Sequence, residues 1–290
     1  MLIVIPSAHF LPNPLLSAAF FGRVSNLKIM AQDSKIEWTH HTANLWWGCT
    51  KVHEGCDNCY AETLSKRWGN DVWGMNKPRK AIKGVWNDLK KYQTMAANAN
   101  EMQRVFVGSM MDIFEKSMPM EFKGEECFYE TGNYREQFFE NIDKGMYPNL
   151  IFLLLTKRPS NINKYIPESW KENPPINVMF GTSPVNEETA NKLIPQLFEV
   201  KGKRFVSIEP QLGWFNISGF IYEGKLDWVI QGGESGHHKR PFSTTWAREI
   251  RDACSFHSVP YFFKQIDKLK YYVLETHRLK AVTESHFNVC

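Results

Sequence analysis

The chain has 290 residues, of which 43% are hydrophobic and 23% charged. Those proportions describe a folded globular protein with room for a sizeable core, and exclude a disordered, collagen-like or coiled-coil chain. Lys and Arg number 35 against 31 Asp and Glu, a net charge of only +4, so bulk charge implies no general affinity for nucleic acid and only a local basic patch would provide one.

Residues 1–29 are apolar, but they lack a basic start and are interrupted by Pro6, Pro12 and Pro14. Neither a secretory signal nor a membrane span of roughly 20 residues fits. Met30 opens the polar stretch MAQDSKIEWT, where translation is expected to start, and residues 1–34 are set apart as an extension outside the domain. No other run is long and apolar enough to make the membrane a partner.

From Asn44 onward, apolar and β-branched runs alternate with helical patterns, which predicts βα units and a mainly parallel sheet. Strands are expected at 45–48, 105–108, 150–155, 178–181, 205–208, 228–230 and 261–263. Helices are expected at 60–68, 85–97, 134–144, 187–200 and 244–257, the last capped by Ser243 or Thr244. Residues 69–84 and 116–132 read as loops. The expected fold class is α/β, a (β/α) barrel or partial barrel over residues 35–265.

In such folds the helices cover the flanks and the carboxyl ends of the strands build the site. The segments after the strands bring Cys49, Ser109, Asp112, Thr156, Lys157, Arg158, Thr182, Ser183, Glu209, Gln231, Glu234, Lys264 and Gln265 to one rim. Helix capping explains any one polar residue there, but capping selects Ser, Thr, Asp and Asn. Lys157, Arg158, Glu209, Glu234 and Lys264 are costly to gather unless they pair or bind something.

Of six cysteines, Cys49, Cys56 and Cys59 form a C-x6-C-x2-C loop, while Cys127, Cys254 and Cys290 are scattered. In a chain of this size the pattern is a metal or cluster site in a reducing, cytoplasmic compartment rather than a disulfide framework. Three thiolates from one loop can hold three irons of a [4Fe–4S] cluster and leave the fourth iron open to an exogenous ligand. A helix starting near Cys59 would bring its positive end to the anionic cluster, and Gly48 and Gly55 allow tight turns. Zinc is the alternative: His53 completes a C-x3-H-x2-C-x2-C set able to close a Cys3His tetrahedron, which would make the chain a zinc-binding, nucleic-acid-binding module without radical catalysis. A metal-dependent hydrolase using Asp112, Glu209 and Glu234 is a third class, weakened because no strand end carries a His-x-His pair.

A three-cysteine loop after the first strand of a (β/α) barrel resembles the radical S-adenosylmethionine (radical SAM) superfamily. More narrowly, the segments IEWTHHTANLWWGCTKVHEGCDNCYAE, VFVGSMMDIFE, LLLTKRP, VMFGTSPVN, FVSIEPQLG and VIQGGESGHHKRPF, followed by VPYFFKQ, resemble a phage- and prophage-associated family of three-Cys-motif proteins. The resemblance covers about residues 35–265. The first cysteine gap is six residues where the superfamily commonly has three, and residues 266–290 read as an unrelated tail.

The resemblance implies that Cys49, Cys56 and Cys59 bind a [4Fe–4S] cluster whose open iron is chelated by the amino and carboxylate groups of S-adenosylmethionine. A reductant such as flavodoxin or ferredoxin would supply an electron that cleaves the sulfonium, and the 5′-deoxyadenosyl radical would abstract a substrate hydrogen. By place in the barrel, Ser109 and Asp112 are candidates for the cofactor amino group or ribose, Lys157 or Arg158 for its carboxylate, and Glu209 for a ribose hydroxyl. The Gly232-Gly233-Glu234 turn is the candidate for close approach to the adenine, and Arg240 and Lys264 complete the cofactor-binding set. The sequence does not identify the substrate. Trp46, Trp47, Trp68, Trp73 and Trp86 lie around the cysteines with Lys66, Arg67, Lys77, Arg79 and Lys80, so a nucleic acid is one candidate, and simple core packing of the tryptophans is the competing account.

Overall fold

The structure, a computed structural model, describes residues 36–122, 125–222, 225–235 and 238–266. The expected start at Met30 and the expected tail beyond residue 266 lie outside these. In chain order the elements are β1 (His41–Ala43), β2 (Trp46–Trp47), α1 (Tyr60–Arg67), β3 (Arg79–Ala81), α2 (Val85–Ala99), β4 (Gln103–Val107), β5 (Pro119–Phe122), β6 (Glu125–Glu130), α3 (Thr131–Asp143) and β7 (Leu150–Thr156). They continue with α4 (Ile162–Tyr165), α5 (Glu168–Glu172), β8 (Val178–Thr182), α6 (Glu187–Phe198), β9 (Lys203–Ile208), α7 (Ser218–Ile221), β10 (Trp228–Gln231), α8 (Thr244–Phe256) and β11 (Tyr261–Phe263).

A seven-stranded sheet has the order β1-β4-β7-β8-β9-β10-β11 and is parallel throughout. The order never reverses, so every crossover runs in the same sense, and the right-handed rule puts the connecting helices on one face. Side-chain alternation along the strands sorts the core accordingly. Val105, Val107, Phe152, Leu154 and Phe180 pack with the helical residues Leu89, Phe138, Phe139, Ile194 and Ile250. The intervening residues Phe106, Ile151, Leu153, Met179, Phe205, Trp228 and Ile230 form a second cluster with Trp38 on the inner face. Gly181 belongs to that inner face, where a Cβ would meet the Phe205 ring at 2.4 Å. A singly wound, twisted sheet of this kind curls toward a barrel, and the architecture is the expected α/β partial barrel with a mainly parallel sheet.

Two expectations need correction. The strand expected at 45–48 is not the first strand of the large sheet: β1 is, and β2 belongs to a second sheet of order β2-β3-β5-β6. The segments 69–84 and 116–132, read as loops, contain β3, β5 and β6. Sequences such as HTA, RKA and EECFYE are short, polar and without alternation, so nothing local marks them as strands; pairing with the rest of the chain creates them. Helix starts show their local causes more openly. Ser243 accepts from Thr245 N–H at the start of α8, as expected, and α3 begins at Thr131 because Glu130 and Asn133 form a capping box. Among the described residues, no helix is long and apolar enough to cross a membrane.

Candidate active site

The cysteine loop leaves β2 through Gly48, which has φ +115°, and a Cβ there would meet the Val72 carbonyl oxygen at 2.3 Å. Gly48 N–H donates to Met110 O (3.1 Å), and Cys49 O accepts from Gly74 N–H (3.0 Å). Cys56 ends a 3-10 turn and Cys59 is the N-cap residue of α1. All three thiols are free and half-buried. They open onto one cavity of about 170 Å³ at the carboxyl ends of the large sheet, whose wall includes Ser109, Asp112, Lys157, Arg158, Glu209, Glu234 and Lys264. Gly232, Gly233 and Arg240, also expected in the cofactor set, are not part of that wall.

Beneath Cys49 lies a buried charge network. Asp112 Oδ1 accepts from Phe114 N–H (3.0 Å) and the Thr156 hydroxyl (2.7 Å), and Oδ2 accepts from Lys157 N–H (3.2 Å) and Arg158 Nη1 (2.6 Å). Arg158 Nη1 also lies 3.8 Å from Cys49 Sγ, and its Nη2 donates to Thr50 O. Glu115 accepts twice from Arg79, at 3.0 and 2.8 Å. With every oxygen lone pair of Asp112 turned toward the protein, this residue and Arg158 are positioned to brace the loops after β4 and β7. Burial, reinforced by Asp112 and Glu115 and opposed by Arg158, pushes the Cys49 thiol up to about 12. Burial also raises Cys59, against the backbone N–H groups of Glu62 and Ala61. Binding a metal at these thiols must therefore displace protons.

The far side of the cavity clamps the same loop. Glu234 accepts from Arg240 Nη2 (2.7 Å), Arg240 N–H (2.8 Å) and Asn58 Nδ2 (3.0 Å). Arg240 in turn donates to Glu54 O (3.1 Å). The loop after β10 thus holds residues 54–58 between the cysteines. Burial opposes ionisation of Glu234, but the donors from Arg240 and Asn58 carry its carboxyl below the usual range. Arg240 therefore serves the cysteine loop from behind. Gly232 and Gly233 serve packing: Gly232 N–H donates to Ile208 O, Gly233 N–H to Gln265 O, and a Cβ on Gly233 would meet Phe242 at 3.1 Å. Glu209 accepts from Lys264 Nζ across the cavity wall, while Lys157 forms no ion pair among the described residues.

Asn44 and Tyr60 also matter here, although the sequence reading passes over both. Asn44 donates to the Ser109 hydroxyl (2.8 Å) and accepts from Met110 N–H (2.7 Å), and Tyr60 OH donates to Ser109 O (2.8 Å). The signal for Asn44, a polar residue directly after a strand, depends on recognising β1.

Among the described residues, no three or more His, Cys, Asp or Glu side chains are drawn together to hold one metal ion. A zinc tetrahedron needs four donors on one ion at about 2.0–2.3 Å, and a [4Fe–4S] cluster takes one cysteine on each of three irons with the fourth left open. His53, the fourth donor of the Cys3His alternative, lies in the same loop. Its Nδ1 accepts from Gly55 N–H (3.1 Å), its Nε2 is buried without a partner, and burial with nearby Lys157 and Arg158 lowers it to about 4.

Fold and site together define an α/β partial-barrel protein with a three-cysteine cavity at the sheet's carboxyl edge. A family model described as "Protein of unknown function (DUF5131)" matches residues 33–285, and the chain belongs to that family; the match runs past Gln265. A search of the curated proteins gives no match. Among solved structures, the chain is similar to a spore photoproduct lyase variant with bound AdoMet and dinucleoside spore photoproduct, at 12% identity and a TM-score of 0.46. That likeness covers 78% of this chain and 64% of the other, and at such identity and score it carries no functional argument.

Proposed function

We propose that the protein is a radical S-adenosylmethionine enzyme. The observation that supports this reading is the opening of Cys49, Cys56 and Cys59 onto one cavity at the carboxyl edge of a parallel, singly wound sheet. These cysteines would hold a [4Fe–4S] cluster. When bound, the cluster and S-adenosylmethionine would supply a reductive cleavage of the sulfonium, with an electron from a flavodoxin or ferredoxin, that yields methionine and a 5′-deoxyadenosyl radical.

The protein's own residues would bind and orient. Lys157, which forms no ion pair among the described residues and lines the cavity, would take the carboxylate of the cofactor. The Glu209–Lys264 pair offers one acceptor and one donor group for ribose hydroxyls. Ser109, held by Asn44 and Tyr60, presents its hydroxyl on the same wall. Asp112 and Arg158 act through the loops they brace, and Glu234 with Arg240 acts through the cysteine loop. Trp38, Phe106 and Leu155, from the apolar inner-face cluster, line the same cavity and would limit water around the cofactor.

The experiment is anaerobic reconstitution with iron and sulfide, followed by dithionite and S-adenosylmethionine and an assay for 5′-deoxyadenosine. Formation of cluster and product, both lost in Cys56→Ala, is expected. A well-formed cluster that never yields 5′-deoxyadenosine, or one tightly held zinc per chain in its place, would overturn the reading.

A further inference from the structure

We propose that the ledge formed by Trp47, Trp68 and Lys80 beside the cysteine cavity is a docking surface for single-stranded nucleic acid. This rests on the catalytic reading above and names its substrate class. The tryptophans near the cysteines range from buried to exposed. Trp46 is fully buried, and Trp86 packs on Tyr134 against the core. Trp68, at the end of α1, is 61% exposed; its ring lies 5.1 Å from that of Trp47 at 31°, and Lys80 Nζ stands 5.3 Å from the Trp47 centroid. An indole held in water beside a second indole has no packing role that accounts for it.

The charge around the ledge selects the occupant. Residues 60–83 carry six basic side chains (Lys66, Arg67, Lys77, Arg79, Lys80 and Lys83) and two acidic ones (Glu62 and Asp71), and only Arg79 of the six is buried. Arg67 pairs with no carboxylate among the described residues. Lys66 and Lys77 reach Glu62 and Asp71 across exposed ion pairs, which are weak enough to yield to phosphates. Stacking faces interleaved with exposed cations suit unpaired bases on a sugar-phosphate backbone, because a duplex keeps its base faces covered.

The ledge and the cavity are linked through α1 and the segment after it. Tyr60 and Trp73, on either side of the ledge residue Trp68 in sequence, both line the cavity wall. From Tyr60 to Arg67, α1 rises about 12 Å, a span of roughly three to four stacked nucleotides at ~3.4 Å each. A strand stacked on Trp68 would thus reach the cysteine cavity within a few nucleotides.

The test is fluorescence anisotropy of the full chain, without cluster, against labelled single-stranded DNA and RNA of about 12 nucleotides. Binding at low salt is expected, weaker for a duplex of the same sequence. Trp68→Ala should weaken it about tenfold and Trp68→Phe by less, while Arg67→Ala should reduce the slope of log affinity against log salt by about 0.7. The ledge is overturned by absence of binding at low salt, by Trp68→Ala binding as tightly as wild type, or by anionic lipid vesicles capturing the chain as well as the oligonucleotide does. Failure of the catalytic reading looks different: oligonucleotide binding through Trp68 persists while the reconstituted protein makes no 5′-deoxyadenosine.

Discussion

His40 shows how a single residue can report on the folded state. Its Nδ1 accepts from Arg104 N–H at 3.0 Å. Burial first, then the charges of Arg104 and His41, lower it from 6.5 to about 4. Between those values the unfolded chain binds a proton that the folded chain refuses, so stability rises with pH across the window and is lost as pH falls from about 6.5 toward 4. His53 shifts in the same direction. Denaturant unfolding at pH 5 and pH 7 should show the lower stability at pH 5, and His40→Gln should narrow the difference. Apart from His41 beside His40, the charges that depress the two histidines come from distant segments, so the local sequence marks neither shift.

At the scale of elements, the cysteine loop depends on its two attachments. Gly48 has a positive φ and lies against the Val72 carbonyl, so Gly48→Ala should cost at least about 1–2 kcal/mol from backbone conformation alone, with the clash added. Iron bound per chain after anaerobic reconstitution, alongside the thermal midpoint, checks this: both should fall. The need for a glycine is legible from the turn into the cysteine motif, and the helix after Cys59 is legible from its periodicity. The second attachment, from Glu234 and Arg240, is not legible, since it joins residues some 180 positions apart and only the curl of the sheet brings them together.

For the molecule as a whole, Arg79 and Glu115 fasten the small sheet to the large one. Arg79, on β3, is fully buried. It gives Nη1 to the carbonyls of Val72, Gly74 and Lys77 and Nη2 to Thr50, while Nε and Nη2 both reach Glu115. Glu115→Ala would leave a pinned, buried guanidinium without its counter-charge and should cost about 3–5 kcal/mol, read as a shift in the denaturant midpoint. Glu115→Gln, which keeps one of the two acceptor oxygens, should cost less. In the sequence Arg79 looks like one more surface cation in a basic run. Its burial is a tertiary fact.

By itself the sequence determined the alternation of strand and helix, the carboxyl-edge rim and the three-cysteine loop, because these are written in short-range periodicity, capping and spacing. The tertiary structure decided the rest. It drew β1, β3, β5 and β6 out of polar segments, turned Asp112 and Arg158 inward as braces and moved Arg240 behind the cysteine loop. It also divided the tryptophans between core and surface. Each of these outcomes depends on which distant residues arrive at the same place, and that is set by the winding of the sheet. The net charge of only +4 still assigns any nucleic-acid affinity to a local patch rather than to the chain as a whole.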